Sequence, residues 1–250
     1  AVDLLLGSNV DINQPSGDGT TPLLMTAING QFDLAMKLIK KGANPNIVSD
    51  AGTSPLFAVL ERKWAPKASY AHPIEHQQQQ TTHLDLIRAL PESGADPNIR
   101  MNQHLWYTEY TFFVMSSGGI HFEGATPFWR ATQALDLNAM RLLKEYGANP
   151  DIANIKRPKR NRPMDQAADS EEQIKKEIDH SGLPPIPDGG PSIYPIHLAS
   201  GAGYGQYFVG TAHKHVPGNW LPVVKFLVEE CAADVNLRDA NGYTPLHHAA

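Results

Sequence analysis

Between Leu34 and Ile39 the chain sets apolar residues at helix spacing, with Leu34, Met36, Leu38 and Ile39 supplying packing positions for a short amphipathic helix. Punctuation on both sides fixes its context. Upstream stands Thr21-Pro22-Leu23, where a hydroxyl serves as N-cap and proline takes the first helical position. Downstream stands Gly42-Ala43-Asn44-Pro45-Asn46, whose glycine supplies the left-handed residue that closes a helix. The 20 residues from Pro22 to Gly42 hold two short helices and a turn.

The same frame returns down the chain. Ser54-Pro55-Leu56 pairs with Gly94-Ala95-Asp96-Pro97-Asn98, and Thr126-Pro127-Phe128 with Gly147-Ala148-Asn149-Pro150-Asp151. Tyr194-Pro195-Ile196-His197 pairs with Ala232-Ala233-Asp234-Val235-Asn236, and a further Thr244-Pro245-Leu246-His247 stands near the end. A helix pair of this length has too little core to stand alone, so neighbours must stack into a solenoid. These residues resemble the ankyrin repeat, over about 160 of the 250 residues. The resemblance implies an all-α solenoid of stacked helix pairs with projecting hairpin loops. It also implies a non-enzymatic protein–protein interaction module or scaffold. The long loops and abundant prolines are similar in style to divergent bacterial ankyrin proteins.

Landmark distances locate the departures from a regular array. Pro127 to Gly147 is again 20 residues, but Pro55 to Gly94 is 39 and Pro195 to Ala232 is 37. The organisation expected is one repeat domain over 1–250. It has a partial repeat at 1–13, repeat 1 at 18–48, and repeat 2 at 50–100 with an insertion at 64–82. An insertion at 101–123 precedes repeat 3 at 124–152, and another follows at 153–190. Repeat 4 spans 191–238 with an insertion at 204–219, and a partial repeat 5 covers 239–250. Neither end carries the polar cap that terminal repeats need, so the natural protein is expected to be longer at both. The inter-repeat loops 101–123 and 153–190 should share one edge, and the helix–helix loops 64–82 and 204–219 the opposite edge. Insertions of this length are usually functional or disordered.

Composition narrows the function. Net charge of −5 and a pI near 6.1 argue against general nucleic-acid binding. Cys231 is the only cysteine, so an intrachain disulfide is excluded, and a buried inert thiol is expected. No run approaches the ~18 apolar residues of a membrane span. The single cysteine leaves both cytoplasmic and exported locations open. The sequence lacks a nucleophile elbow, a phosphate loop and a haem motif, so no enzyme and no cofactor is expected.

Candidate binding chemistry lies in the loops. The 101–123 insertion is rich in β-formers and carries Trp106, Tyr107, Tyr110 and Phe113, which suit an extended finger with aromatic anchors for a protein partner. The 153–190 insertion opens Lys156-Arg157-Pro158-Lys159-Arg160-Asn161-Arg162, in which Arg157 and Lys159 add electrostatic steering. His72, His76 and His83 lie in or beside one helix–helix insertion, and His213 and His215 in the other. The alternatives are therefore a metal- or ligand-binding protein with a His-lined site, or a structural subunit of a larger assembly. No metal-ligand spacing motif supports the first alternative. The expected binding surface combines the projecting hairpins with the exposed face of the first helices.

Three departures from the repeat pattern carry local expectations. The box histidine is replaced by Leu24, Phe57 and Trp129, so bracing of the neighbouring turn there must come from packing. Pro91 removes a donor from the last turn of a second helix and should distort it. Ala232 stands where a closing glycine belongs, and a left-handed conformation there would carry strain.

Overall fold

Hydroxyl caps start the helices where the sequence places them. A computed structural model describes residues 2–8, 10–64, 75–103, 120–158, 183–204 and 214–250. Leu24 N–H donates to Thr21 Oγ1 at 3.3 Å, Phe57 N–H to Ser54 Oγ at 3.2 Å, and Trp129 N–H to Thr126 Oγ1 at 3.2 Å. From these caps run the first helices: α2 (Pro22–Ile28), α4 (Pro55–Trp64) and α6 (Pro127–Gln133), joined by α8 (Pro195–Ala199) and α10 (Pro245–Ala249). The second helices are α3 (Phe32–Lys40), α5 (His83–Glu92), α7 (Leu137–Glu145) and α9 (Trp220–Lys225), with α1 (Val2–Leu6) before them all. First helices pack on first helices along the row, second helices pack on second from α3 through α5 to α7, and one continuous apolar core runs between them. Among the described residues there is no strand, only an antiparallel bridge between Ile155 and Pro191. The architecture is an all-α, ankyrin-like solenoid.

Local departures resolve in different ways. Helix α5 runs on through Pro91 to Glu92, with Ser93 N–H closing it on Ala89 and Leu90 carbonyls. Helix α9 passes into a π-turn at Phe226–Glu230, closed by Cys231 N–H on Phe226 O. Cys231 itself is half-buried, and burial pushes its thiol pKa up. Ala232 is left-handed, at φ 58°. An alanine there pays the Cβ–carbonyl clash that glycine avoids. Ala232→Gly is expected to stabilise the protein by about 1 kcal/mol; a thermal midpoint that stays put or falls would contradict this.

An asparagine ladder ties the repeats together. Asn46 Oδ1 accepts from Asp96 N–H (2.8 Å) while its Nδ2 donates to Gly94 O (2.7 Å). Asn98 repeats the motif on Asn149 N–H (2.7 Å) and Gly147 O (3.0 Å). The next rung carries Asp151, whose carboxylate has no donor for the Ala232 carbonyl, and among the described residues it makes no such pair with repeat 4. Asp151→Asn is expected to complete the rung and stabilise by about 1 kcal/mol. A urea midpoint that rises at unchanged slope checks it.

A second apolar layer lies over the first-helix row. Phe57 of α4, Trp129 of α6 and Leu198 of α8 meet Met101, Ile120, Phe122 and Ala202 from the connecting segments. Phe122 sits edge-on to Phe57 at 5.6 Å and to Trp129 at 6.1 Å. Every residue of α6 and α8, and α4 from Pro55 to Glu61, is buried as a result. The first-helix face counted as exposed from the sequence is thus covered in repeats 2 to 4. It stays open at Met25 of α2 and Leu246 of α10, 45% and 76% exposed.

The covered row also corrects the expected bracing of the turns. His197 Nε2 meets Leu237 O at 3.0 Å, as a box histidine should. Trp129, standing in a histidine's place, donates its indole Nε1–H to Ile193 O at 2.8 Å. Bracing by hydrogen bond therefore survives in repeat 3, because the larger ring carries its donor far enough to reach the next turn.

The two edges of the solenoid are built differently. At the hairpin edge, Asp50 N–H donates to Asp18 O, Asn102 N–H to Ala51 O and Ile155 N–H to Glu123 O, which stitches successive hairpins together. At the turn edge, both insertion bases converge on the helix–helix turn of repeat 3. Trp64 Nε1 and His83 Nε2 each lie 2.9 Å from Asp136 Oδ2, while Val216 N–H donates to Ala134 O (2.9 Å) and Asn219 Nδ2 to Leu135 O (3.0 Å).

Candidate functional site

Asn154 organises the hairpin edge. It is buried, and its Nδ2 donates to His121 O at 2.8 Å while its Oδ1 accepts from Ile193 N–H at 2.7 Å. Its own backbone exchanges bonds with Ile193 O and Ser192 N–H. One side chain thus pins the return of the 101–123 insertion against both ends of the 153–190 insertion. Arg100 adds a second clamp, with Nε on Gly124 O (2.9 Å) and Nη2 on Ala153 O (2.8 Å). Gly124, at φ 78°, must be glycine here: a Cβ would stand 2.6 Å from Ile155 Cγ1.

These clamps fix Arg157. Its Nε donates to Glu123 Oε2 at 2.7 Å, and its Nη1 lies 2.9 Å from His121 Nδ1. A guanidinium only donates, so His121 Nδ1 is the acceptor and carries no proton in this contact. Across from Arg157 lies the turn before α10. There Asp239, 1% exposed, accepts from Asn241 N–H (2.8 Å), Tyr243 N–H (2.9 Å) and His248 Nε2 (2.9 Å). That network raises Tyr243, whose half-exposed ring lies 5.9 Å from His247 and 5.8 Å from His248.

Between the two walls is an open cleft of about 380 Å³, lined by Ile120, His121, Arg157, Tyr243, His247 and neighbours. Its chemistry is that of recognition. An arginine held by two partners presents a fixed donor edge, and an aromatic shelf faces it. Buried Asp239 has its lone pairs committed to structural donors, which leaves it no role as a base. Among the described residues no group of three or more His, Cys, Asp or Glu is arranged to hold a metal ion. His83 is spent on Asp136, and His215 packs on Tyr204 and Trp220 at 5.5 and 5.6 Å.

Of the site residues expected from the sequence, Arg157 lines this cleft. Trp106, Tyr107, Tyr110, Phe113 and Lys159 lie outside the described residues. The sequence reading did not single out Tyr243, His121 or Asn154. His121 could have been noticed, since it directly borders the aromatic insertion. Asn154 carries no motif, because its partners lie 33 and 39 residues away, and Tyr243 carries none because it matters only through the cleft it shares with Arg157.

Residues 18–50 match the family model of the ankyrin repeat. That segment contains α2, α3 and the hairpin that leads to α4. No curated protein shows a match to the chain. Ankyrin repeats in general mediate protein–protein interaction and form a family of non-enzymatic modules. No described helix is long and apolar enough to cross a membrane.

Proposed function

We propose that this ankyrin-like chain is a non-catalytic protein-binding module, one repeat domain over 1–250, that engages its partner along the hairpin edge. The observation that carries the reading is the second apolar layer. It takes the central first-helix face out of use, while the hairpin edge keeps an open cleft beside the roots of both long insertions. Arg157 is then a fixed polar contact, and Tyr243 its aromatic neighbour. Trp106, Tyr107, Tyr110 and Phe113 of the 101–123 insertion are the proposed aromatic anchors, with Lys159 adding electrostatic steering.

Capture from native extract tests this, with substitutions rather than a deletion. Removing 102–123 would also strip Ile120 and Phe122 from the apolar layer. The intact chain is compared with Arg157→Gln and with Trp106→Ala/Tyr110→Ala/Phe113→Ala, each first shown to keep its helical circular dichroism. A discrete partner that the intact chain holds and both variants lose is the expected result. Equal retention by all three would remove the hairpin edge from consideration.

A further inference from the structure

We infer that the proline-rich return of the 153–190 insertion, Leu183-Pro184-Pro185-Ile186-Pro187, is a preformed polyproline II ligand that docks in an aromatic-lined, proline-recognising groove on a partner protein. This contact is separate from the cleft. It uses other residues, and here the chain is the ligand rather than the groove.

The sequence dictates the conformation of this segment. Pro184, Pro185 and Pro187 have φ fixed by their rings at about −65°. Leu183, Pro184 and Ile186 each precede a proline, which steers them away from the helical region toward extended backbone. Every residue from 183 to 187 is therefore biased to the polyproline II helix, and the segment carries no helix, strand or turn. No peptide bond among the described residues is cis. With about three residues per turn, this helix sets Pro184 and Pro187 on one edge and Ile186 on another. Burial follows the same division. Pro184, Pro185 and Pro187 are exposed and Ile186 is half-buried, while Leu183 at the start is 55% exposed.

The solenoid holds this ridge by its C-terminal end. Gly189 N–H donates to Lys156 O and Lys156 N–H to Gly190 O, both at 2.8 Å, and Lys156 Nζ donates to Ile186 O. Gly190 N–H closes a turn on Pro187 O at 3.0 Å. A Cβ on Gly190 would stand 2.9 Å from both Ile186 Cγ2 and Pro187 O, so the turn closes only around glycine. The ridge is thus ordered before a partner arrives, which removes part of the entropic cost of binding. The carbonyls of Pro184 and Pro185 accept no hydrogen bond among the described residues, which leaves them for indole or phenol donors on the partner. The charged side chains at the base of the ridge are Lys156 and Asp188, one of each sign. Recognition therefore falls to proline rings on aromatic faces rather than to ion pairs.

The probes are an isotope-labelled WW domain and an isotope-labelled SH3 domain, each titrated with the full chain while the indole N–H of its groove tryptophan is followed by NMR. At least one of the two should show a saturable shift, and Pro184→Ala/Pro187→Ala should weaken that binding at least about tenfold. Arg157→Gln should leave it unchanged, which separates this contact from the cleft. If the proline variant loses its helical circular dichroism, competition by a free peptide of residues 183–190 replaces it, and the peptide should displace the full chain. The inference fails if neither domain shifts at about 1 mM chain. It fails equally if the proline variant binds like the parent, if the peptide does not compete, or if Arg157→Gln abolishes binding.

Discussion

Glu61→Ala is expected to destabilise the protein by about 3–5 kcal/mol, a large fraction of the stability of an ordinary domain. Glu61 of α4 and Arg130 of α6 form an ion pair in which both side chains are 1% exposed. Arg130 also lies 5.7 Å from the centre of the Phe122 ring, beneath the second apolar layer. Removing the carboxylate leaves a guanidinium that cannot deprotonate and cannot reach water. The pair is not optimal, since Arg130 Nη1 is buried without a hydrogen-bond partner among the described residues. For that reason Glu61→Leu/Arg130→Met should recover most of the loss, because well-packed apolar side chains often match or exceed a buried pair. Urea unfolding of the two variants decides it. A double variant no more stable than Glu61→Ala would show that the pair is a net source of stability.

Acid is expected to weaken the fold in two stages, the first starting near neutrality. Burial, and then the field of Arg62, Lys63, Lys214 and His83, pushes the His76 pKa down to about 4 from its usual 6.5. His197 is lowered as well, chiefly by burial, against the opposing pull of its bond to Leu237 O. Its geometry requires neutrality: Nε2 faces a carbonyl and must donate, while Nδ1 accepts from Tyr194 N–H at 3.3 Å. For both residues the unfolded chain binds the proton more readily. Their contribution is complete above about pH 6.5 and is lost as pH falls toward the folded values.

For His76 the full shift corresponds to about 3 kcal/mol, and nearer 2 after solvent screening of a half-buried ring. The second stage belongs to Asp136. Burial opposes its ionisation, but His83, Ala139 N–H and Trp64 outweigh that and hold its pKa below the usual 3.8. Its share persists above about pH 4 and disappears below it. Denaturant midpoints across pH 4 to 7 should fall steadily as pH drops, with a shallower fall in His76→Leu. A flat profile in the parent protein would count against the account.

Much of the scaffold is written in short-range chemistry. Caps at Thr21, Ser54 and Thr126, prolines at the first helical positions and glycines after the second helices act over three or four residues. A repeated local signal therefore specifies the helix pairs and their order without any knowledge of the fold. The left-handed Ala232 was legible for the same reason, since its place in the frame demands a residue that reverses the chain. Leu135, left-handed at φ 53°, holds the frame position of left-handed Gly30 and Gly203 and was open to the same argument, which the sequence reading did not make. Its strain is carried by full burial between neighbouring repeats.

The functional surface depends on contacts of another range. Phe122 covering Phe57 and Trp129, Glu61 meeting Arg130 across 69 residues, and Asn154 pinning His121 to Ile193 all join segments separated by long insertions. Pairwise spacing in the chain says nothing about such meetings, because loop closure sets no fixed register between the ends of a long insertion. By itself, then, the sequence determined the repeat, its helix pairs, the places of its insertions and the acidic character of the whole. The tertiary structure alone decided which face of the solenoid is covered and where Arg157 sits. Those properties arise when stacking brings remote insertions together, and burial then selects the side chains that remain in contact with water.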